Sequence, residues 1–483
     1  MDTAILSCAT GTLAPYQPSG AAPWDKKRAQ HLYRRMGFGG TPAEIDAALS
    51  QEPGALVDAL IDEALALPLS PEPEWAYWTV DDYQNFEEEV QQQYVAWIIQ
   101  WVNDMLSNGF REKLALFWSN HFVTKYEAYL CASHLYQYHK LLQQNALGNF
   151  RDFVYEIGKT PAMLIFLNNV QNTVFEPNEN YARELYELFT LGRDNGYSQV
   201  DIQETARALT GWNNPLPYCG PVSFVPFLHD TGVKTIFGQT GNWGYDELHD
   251  ILFEQRSQQV ATHICTKIYA TFVHPQVDDE IVAGLAQTFI DNNFELAPVF
   301  RQLFKSEHFF DEYVIGTQVK SPMEHFLSFV REGDFLYNDD VVQVVAYLAY
   351  DLGQQLFSPT DVSGWPGNRS WVDSTTMTGR WQGMDYYLFF LFGNAPESLR
   401  QLAKNLSGNS SDPALVTQSL VDHFIPTGLD TPEAYERATA ALKWEVPQNY
   451  YDSGDWNLEW DTVPAQVVFL LRHIARLPEF QLT

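Results

Sequence analysis

The chain has 483 residues, with 61 acids against 29 bases and a formal net charge of −32. That balance excludes nucleic acid as a natural partner, because phosphate binding needs a basic surface, and it disfavours anionic membranes for the same reason. Apolar and aromatic residues are ample for a real core, charged residues are too few for wholesale disorder, and no apolar run approaches the ~18 residues of a membrane span.

The segment from Met1 to Pro23 is small, polar and proline-containing, and reads as an amino-terminal arm. It lacks the basic start and apolar middle of a signal peptide. Ile5-Leu6-Ser7-Cys8 faintly resembles a lipoprotein cleavage site, but the apolar stretch that should precede it is missing. The compartment stays open between cytoplasmic and exported after processing.

From residue 24 onward helical signals dominate. His31 to Gly39 reads as a basic helix closed by glycine. Thr41-Pro42-Ala43-Glu44 is a helix start in which Thr41 caps, Pro42 takes the first position and Glu44 reaches back. Apolar spacing predicts helices over 53–66, about 85–108, 111–122 and 128–147, and a further one from Ser198 to Trp212. The same spacing continues through 245–254, 257–273, 277–292, 295–306, 321–332, 340–353, 375–393, 396–406, 412–424, 431–445 and 462–475.

Two segments break the pattern. Residues 213–243 are rich in proline and glycine, and the Asp230-Thr231-Gly232 turn between short apolar stretches predicts a small β-hairpin near 222–238. Residues 354–374 carry Trp365 and Trp371 in an aromatic loop, unlike a Gly/Ser linker. With no solenoid-period repeat and no clean linker, the expected architecture is all-α. It is a large multi-helix single domain over 24–483, with two loop-rich insertions.

The stretch 178–192 carries most of the functional information. Read as one helix, it sets Asn180, Arg183, Glu184 and Glu187 within one arc of roughly 100°, with Tyr181, Leu185, Leu188 and Phe189 on the other side. Two carboxylates three residues apart can share a metal or divide acid and base roles. Equally, Arg183 can pair with Glu179 and Glu187 on a solvated face. His121, beside Trp118 and Asn120 near a helix end, is a candidate ligand or proton carrier, or else a satisfied buried imidazole.

His229-Asp230-x-Gly232-x-Lys234 sets three polar side chains on one turn, either a metal pair or oriented base, or a turn held by Asp230. Glu184, Glu187, His229 and Asp230 are thus the candidate catalytic groups, and His121, Glu184 and His229 the candidate ligands of a divalent ion. Arg183, Asn180, Arg207, Trp212, Lys234 and Trp365 are the candidate substrate contacts. Arginines would clamp an anion, and tryptophans would offer a platform for a sugar ring.

The four cysteines, Cys8, Cys131, Cys219 and Cys265, include no Cys-x-x-Cys pair, which argues against a cysteine-only zinc site. Their spacing neither requires nor forbids disulfides. The chain has no Gly-x-Ser-x-Gly elbow, phosphate loop, dinucleotide fingerprint or His-Glu-x-x-His, so the usual serine hydrolases, nucleotide hydrolases, Rossmann oxidoreductases and zinc proteases are set aside.

Several of these segments together resemble the bacterial family catalogued as domain of unknown function 1800. The matching pieces are His31 to Gly39, Phe117 to Phe122, the acidic stretch 178–192, Ala206 to Trp212, His229 to Lys234 with Gly238, Gly364 to Gly367, and Arg476 to Phe480. The resemblance implies one domain over most of the chain, often beside a sulfatase-like partner protein, and supplies no reaction.

The residues therefore point to a hydrolase using carboxylate and histidine acid–base or metal-assisted chemistry, with a saccharide or small molecule as substrate. Its cleft would lie where 178–192, the 117–122 helix end and the 224–238 loop converge. Two other readings stand beside it: a non-catalytic helical scaffold for a partner protein or cell-surface polymer, and a redox metalloenzyme.

Overall fold

The caps written into the sequence are the caps the chain uses. The structure, a computed structural model, describes residues 11–214, 216 and 218–483. Thr41 accepts the Glu44 amide at 3.2 Å while the Glu44 carboxylate accepts the Thr41 amide at 2.7 Å. Ser198 with Asp201, and Ser321 with Glu324, close the same reciprocal box.

Among the described residues 23 α-helices run from Lys26–Met36 to Val463–Ala475, so the all-α expectation holds. The strands are two short antiparallel pairs, Trp212–Asn213 with Ser223–Phe224 and Lys234–Ile236 with Gln239–Gly241. A small hairpin is present, but its turn falls at Phe237-Gly238 and not at the expected Asp230-Thr231-Gly232, with both residues in the left-handed region at 49° and 80°. That is the conformation a two-residue hairpin turn requires.

Three helices went unmarked in the sequence, Phe150–Ile157, Pro161–Phe166 and Gln448–Asp452. They are too short for apolar periodicity to stand out, although Asn149 and Thr160 cap the first two. The helix expected over 128–147 is interrupted, because Leu130 takes a left-handed conformation after the turn Tyr126–Tyr129. It resumes as Ala132–Gln144.

Helix Gly109–His121 lies at the centre. Every side chain from Phe110 to Ser119, and His121, is buried. It packs against Ala132–Gln144, Phe86–Ser107, Pro53–Ala66 and Lys26–Met36. Phe110 and Phe117 meet Phe272 edge to face, at 6.5 and 5.4 Å, and Trp118 packs on Phe150 and Phe153. Each such ring stabilises the fold by roughly 1.5–3 kcal/mol through burial alone. One contiguous apolar core extends from Tyr16 to Phe480.

The described part of the arm is pinned to this body. The Tyr16 amide donates to Lys305 O at 2.7 Å, and the Tyr16 ring packs on Phe310. The Ile5–Cys8 segment lies outside the described residues. No helix among the described residues is long and apolar enough to cross a membrane.

Cys131 and Cys219 form a disulfide that staples the first loop-rich insertion to the start of Ala132–Gln144. Cys265 is a buried free thiol. The bridge spans 88 residues of sequence. Closing a loop of that length in the unfolded chain is worth roughly 3–5 kcal/mol by the chain-entropy account. Thiol titration in denaturant should find two fewer reactive thiols without reductant than with it. Cys219→Ser should lower stability by about that amount, and full thiol reactivity without reductant would remove the bridge from the account.

Candidate functional site

The acidic segment is one helix of two kinds. Asn180–Glu184 is α-helical, and Leu185–Thr190 widens into a π-helix, with the Leu191 amide reaching five residues back to Tyr186 O at 2.9 Å. The expectation of a single regular α-helix over 178–192 is corrected here. π-turns cluster at functional sites, and they leave carbonyls for outside donors. Two imidazoles answer them: His263 Nε2 meets Leu188 O at 3.1 Å and His121 Nε2 meets Phe189 O at 3.0 Å.

A carbonyl only accepts, so both rings carry their proton on Nε2. Burial, with Lys267 nearby, pushes His263 down to about 4 and His121 well below its usual range. His121 therefore serves as a neutral clamp on the backbone of the acidic helix. Gly192, at a φ of 92°, is required beside His263, because a Cβ there would come within 2.9 Å of Nδ1.

The side chains of this helix mostly answer one another. Arg183 pairs with Glu179 at 3.0 Å and Glu187 at 3.3 Å, and also donates to Gln199. These pairs are partly exposed and worth little. The Asn180 side chain donates to Leu167 O. Glu184 differs: it is half-buried, forms no hydrogen bond or ion pair among the described residues, and is raised by burial and by Glu187.

The His229 loop is knotted to its neighbours. Arg207 grips Asp230 at 2.7 and 3.3 Å and Glu204 at 2.9 and 3.0 Å. Arg207 holds Asp230 below the ordinary carboxylate range. Asp230 also accepts the Gly232 amide at 2.7 Å. Lys234, buried, donates to the carbonyls of Asp230 and Gly232, and His229 Nδ1 to Thr210 O at 2.9 Å. Trp212 packs against Phe224 across its strand pair. Arg207, Asp230 and Lys234 hold a turn.

The expected ligand set His121, Glu184 and His229 is not assembled. Among the described residues no three His, Cys, Asp or Glu side chains are placed to hold a metal ion. His121 and His229 are each committed to a backbone carbonyl on a different element. The expected segments do meet, His121 on Phe189 O and Tyr186 on Phe237, but the cavity at the helix end is lined by neither the acidic helix nor the 224–238 loop.

His121 and Trp365 instead line one cavity of about 570 Å³. It lies between the end of Gly109–His121, one face of Ser257–Phe272, the start of Pro322–Glu332 and the 363–371 loop. Asn120 locks two of these elements together. Its Oδ1 accepts the Trp365 amide at 2.6 Å and its Nδ2 donates to Trp365 O at 3.2 Å. Gly364, at a φ of 85°, is dictated by this lock, because a Cβ would sit 2.3 Å from Asn120 Oδ1.

Lys113 and Glu324 pair on the cavity wall. Lys113 and the Ser321 cap hold the Glu324 carboxyl down at about 2. Lys267 lines the same cavity with no hydrogen bond or ion pair among the described residues, and burial pushes it down to about 8. Sequence reasoning missed Lys113, Asn120, His263, Lys267 and Glu324. The signal available for Lys113 was a charge on a helix with no polar face left to carry it.

The Lys113–Glu324 pair yields a direct test. Lys113→Met leaves a carboxylate without its cation and should cost about 3–5 kcal/mol in denaturant unfolding. The Glu324 contribution should be complete above pH about 4.5 and disappear as pH falls towards about 2, because its folded value is depressed. An acid-unfolding midpoint that does not move in Lys113→Met would show that the pair contributes nothing.

Comparison with curated proteins and with solved structures finds no match. The family model described as protein of unknown function DUF1800 matches residues 31–482. That span takes in the Phe117–Phe122 helix end, the acidic helix, the His229 loop and the Gly364–Gly367 loop. The chain belongs to the DUF1800 family.

Proposed function

We propose that the protein captures a small polar molecule of about monosaccharide size in the cavity between Asn120 and Trp365. The observation that carries this reading is the lining of the cavity. Asn120, Trp365, Trp371 and Lys267 share it, and Lys267 has no hydrogen bond or ion pair among the described residues. A cation without a partner on a cavity wall favours a polar ligand that matches it. The volume lies within the range of small-molecule sites, and Trp365 and Trp371 supply flat walls suited to a sugar ring.

The test is a screen of monosaccharides and small acids read by tryptophan emission. A binder should lose at least about tenfold in affinity in Trp365→Phe and in Asn120→Ala, equivalent to 1.4 kcal/mol each. Binding that survives both variants would place the ligand elsewhere.

A hydrolytic reading attaches to Glu184. It is the unpartnered member of a carboxylate pair, raised by burial and by Glu187, as a general acid must be. Glu184→Gln should abolish turnover of any glycoside that the protein cleaves while leaving its melting temperature within a few degrees. Unchanged turnover in that variant removes the reading.

A further inference from the structure

We infer that the ligand of this cavity is a small anion, an organic acid or acidic sugar whose carboxylate meets the Lys267 ammonium. The inference rests on the binding role proposed for the cavity and adds the charge of what enters it. The charged groups on the wall are Lys113, Glu324 and Lys267, with His121 neutral. Lys113 and Glu324 cancel. What remains is one cation without a counter-charge, in a chain that carries a net −32.

The layer behind the wall has the same sign. Ser321 and Glu324 line the cavity, and around them lie Arg34, Lys320 and Arg380, all buried. Arg34 is matched by Glu332 in a two-point contact at 2.5 and 2.8 Å. Arg380 donates to Lys320 O at 2.7 Å and has no carboxylate of its own. Lys320 Nζ makes no hydrogen bond and lies 4.2 Å from the centre of the Phe480 ring. Burial holds Lys320 down at about 7 and Arg380 at about 10, against the opposing pull of Glu324 on both and of Glu332 on Lys320.

A buried guanidinium that ties down a carbonyl needs no ligand to explain it, and Arg380 does that. Lys267 ties down nothing. A lysine that lines a cavity and has no partner matches a carboxylate better than a hydroxyl. Low-dielectric walls strengthen the attraction and keep out competing ions.

Collisional quenching tests this with probes of known charge. The emission difference between the protein and its Trp365→Phe variant isolates Trp365. Neutral acrylamide should quench it; if acrylamide does not, the cavity is closed and the binding role falls. Iodide should quench it about threefold or more above caesium, since one unit charge at a few ångströms concentrates the anion by that order. The preference should vanish in Lys267→Met and persist in Lys267→Arg, with circular dichroism confirming that both fold. Glucuronate should shield Trp365 from iodide at concentrations where glucose does not. If acrylamide enters while caesium quenches as well as iodide, or if Lys267→Met keeps the iodide preference, the cavity stands and the anion assignment is overturned.

Discussion

The fold turns on burying a helix that carries charge. Helix Gly109–His121 has no solvent face, yet it holds Arg111, Glu112, Lys113 and His121. An unmatched charge or polar group in that position would cost several kcal/mol, so each of these residues must find a partner on another element. Arg111 donates to Glu112, which also accepts from Trp101 and Gln143. Lys113 reaches Glu324, and His121 reaches Phe189 O. One helix thereby fixes the relative placement of three regions far apart in the chain.

The candidate site is a consequence of that requirement. Where the central helix ends, Asn120 can no longer bond within the helix and takes up the backbone of Trp365. The loop that carries Trp365 is held off the helix end, and the space between them is the cavity. His121 on the same turn clamps the π-helical half of the acidic segment through Phe189 O. The acidic helix and the tryptophan loop are thus each held by one of two neighbouring residues.

Charge shows the same logic at longer range. The chain is strongly acidic, and its exposed ion pairs, whether local like Arg183 with Glu179 or long-range like Arg301 with Asp62, are weakly stabilising. The interior is where the cations collect, around Arg34, Lys320 and Arg380. The His229 loop, by contrast, uses its charges on itself: Arg207, Asp230 and Lys234 close a turn that the short strands could not hold alone.

The sequence by itself determined what depends on near neighbours. Apolar spacing marked most helices, Thr41-Pro42-Ala43-Glu44 and Ser198-x-x-Asp201 marked two starts, and the order of motifs marked the family. Pairing of Arg183 with Glu179 and Glu187 was also legible, since four residues on a helix fix that geometry whatever else surrounds it. Only the tertiary structure decided which polar groups share a cavity. The joining of His121, Lys267, Trp365 and Glu324 spans more than two hundred residues, and no local periodicity encodes a contact of that range. The widening at Leu185–Thr190 was hidden for the same reason, because its stability comes from donors supplied by His121 and His263, both remote in sequence.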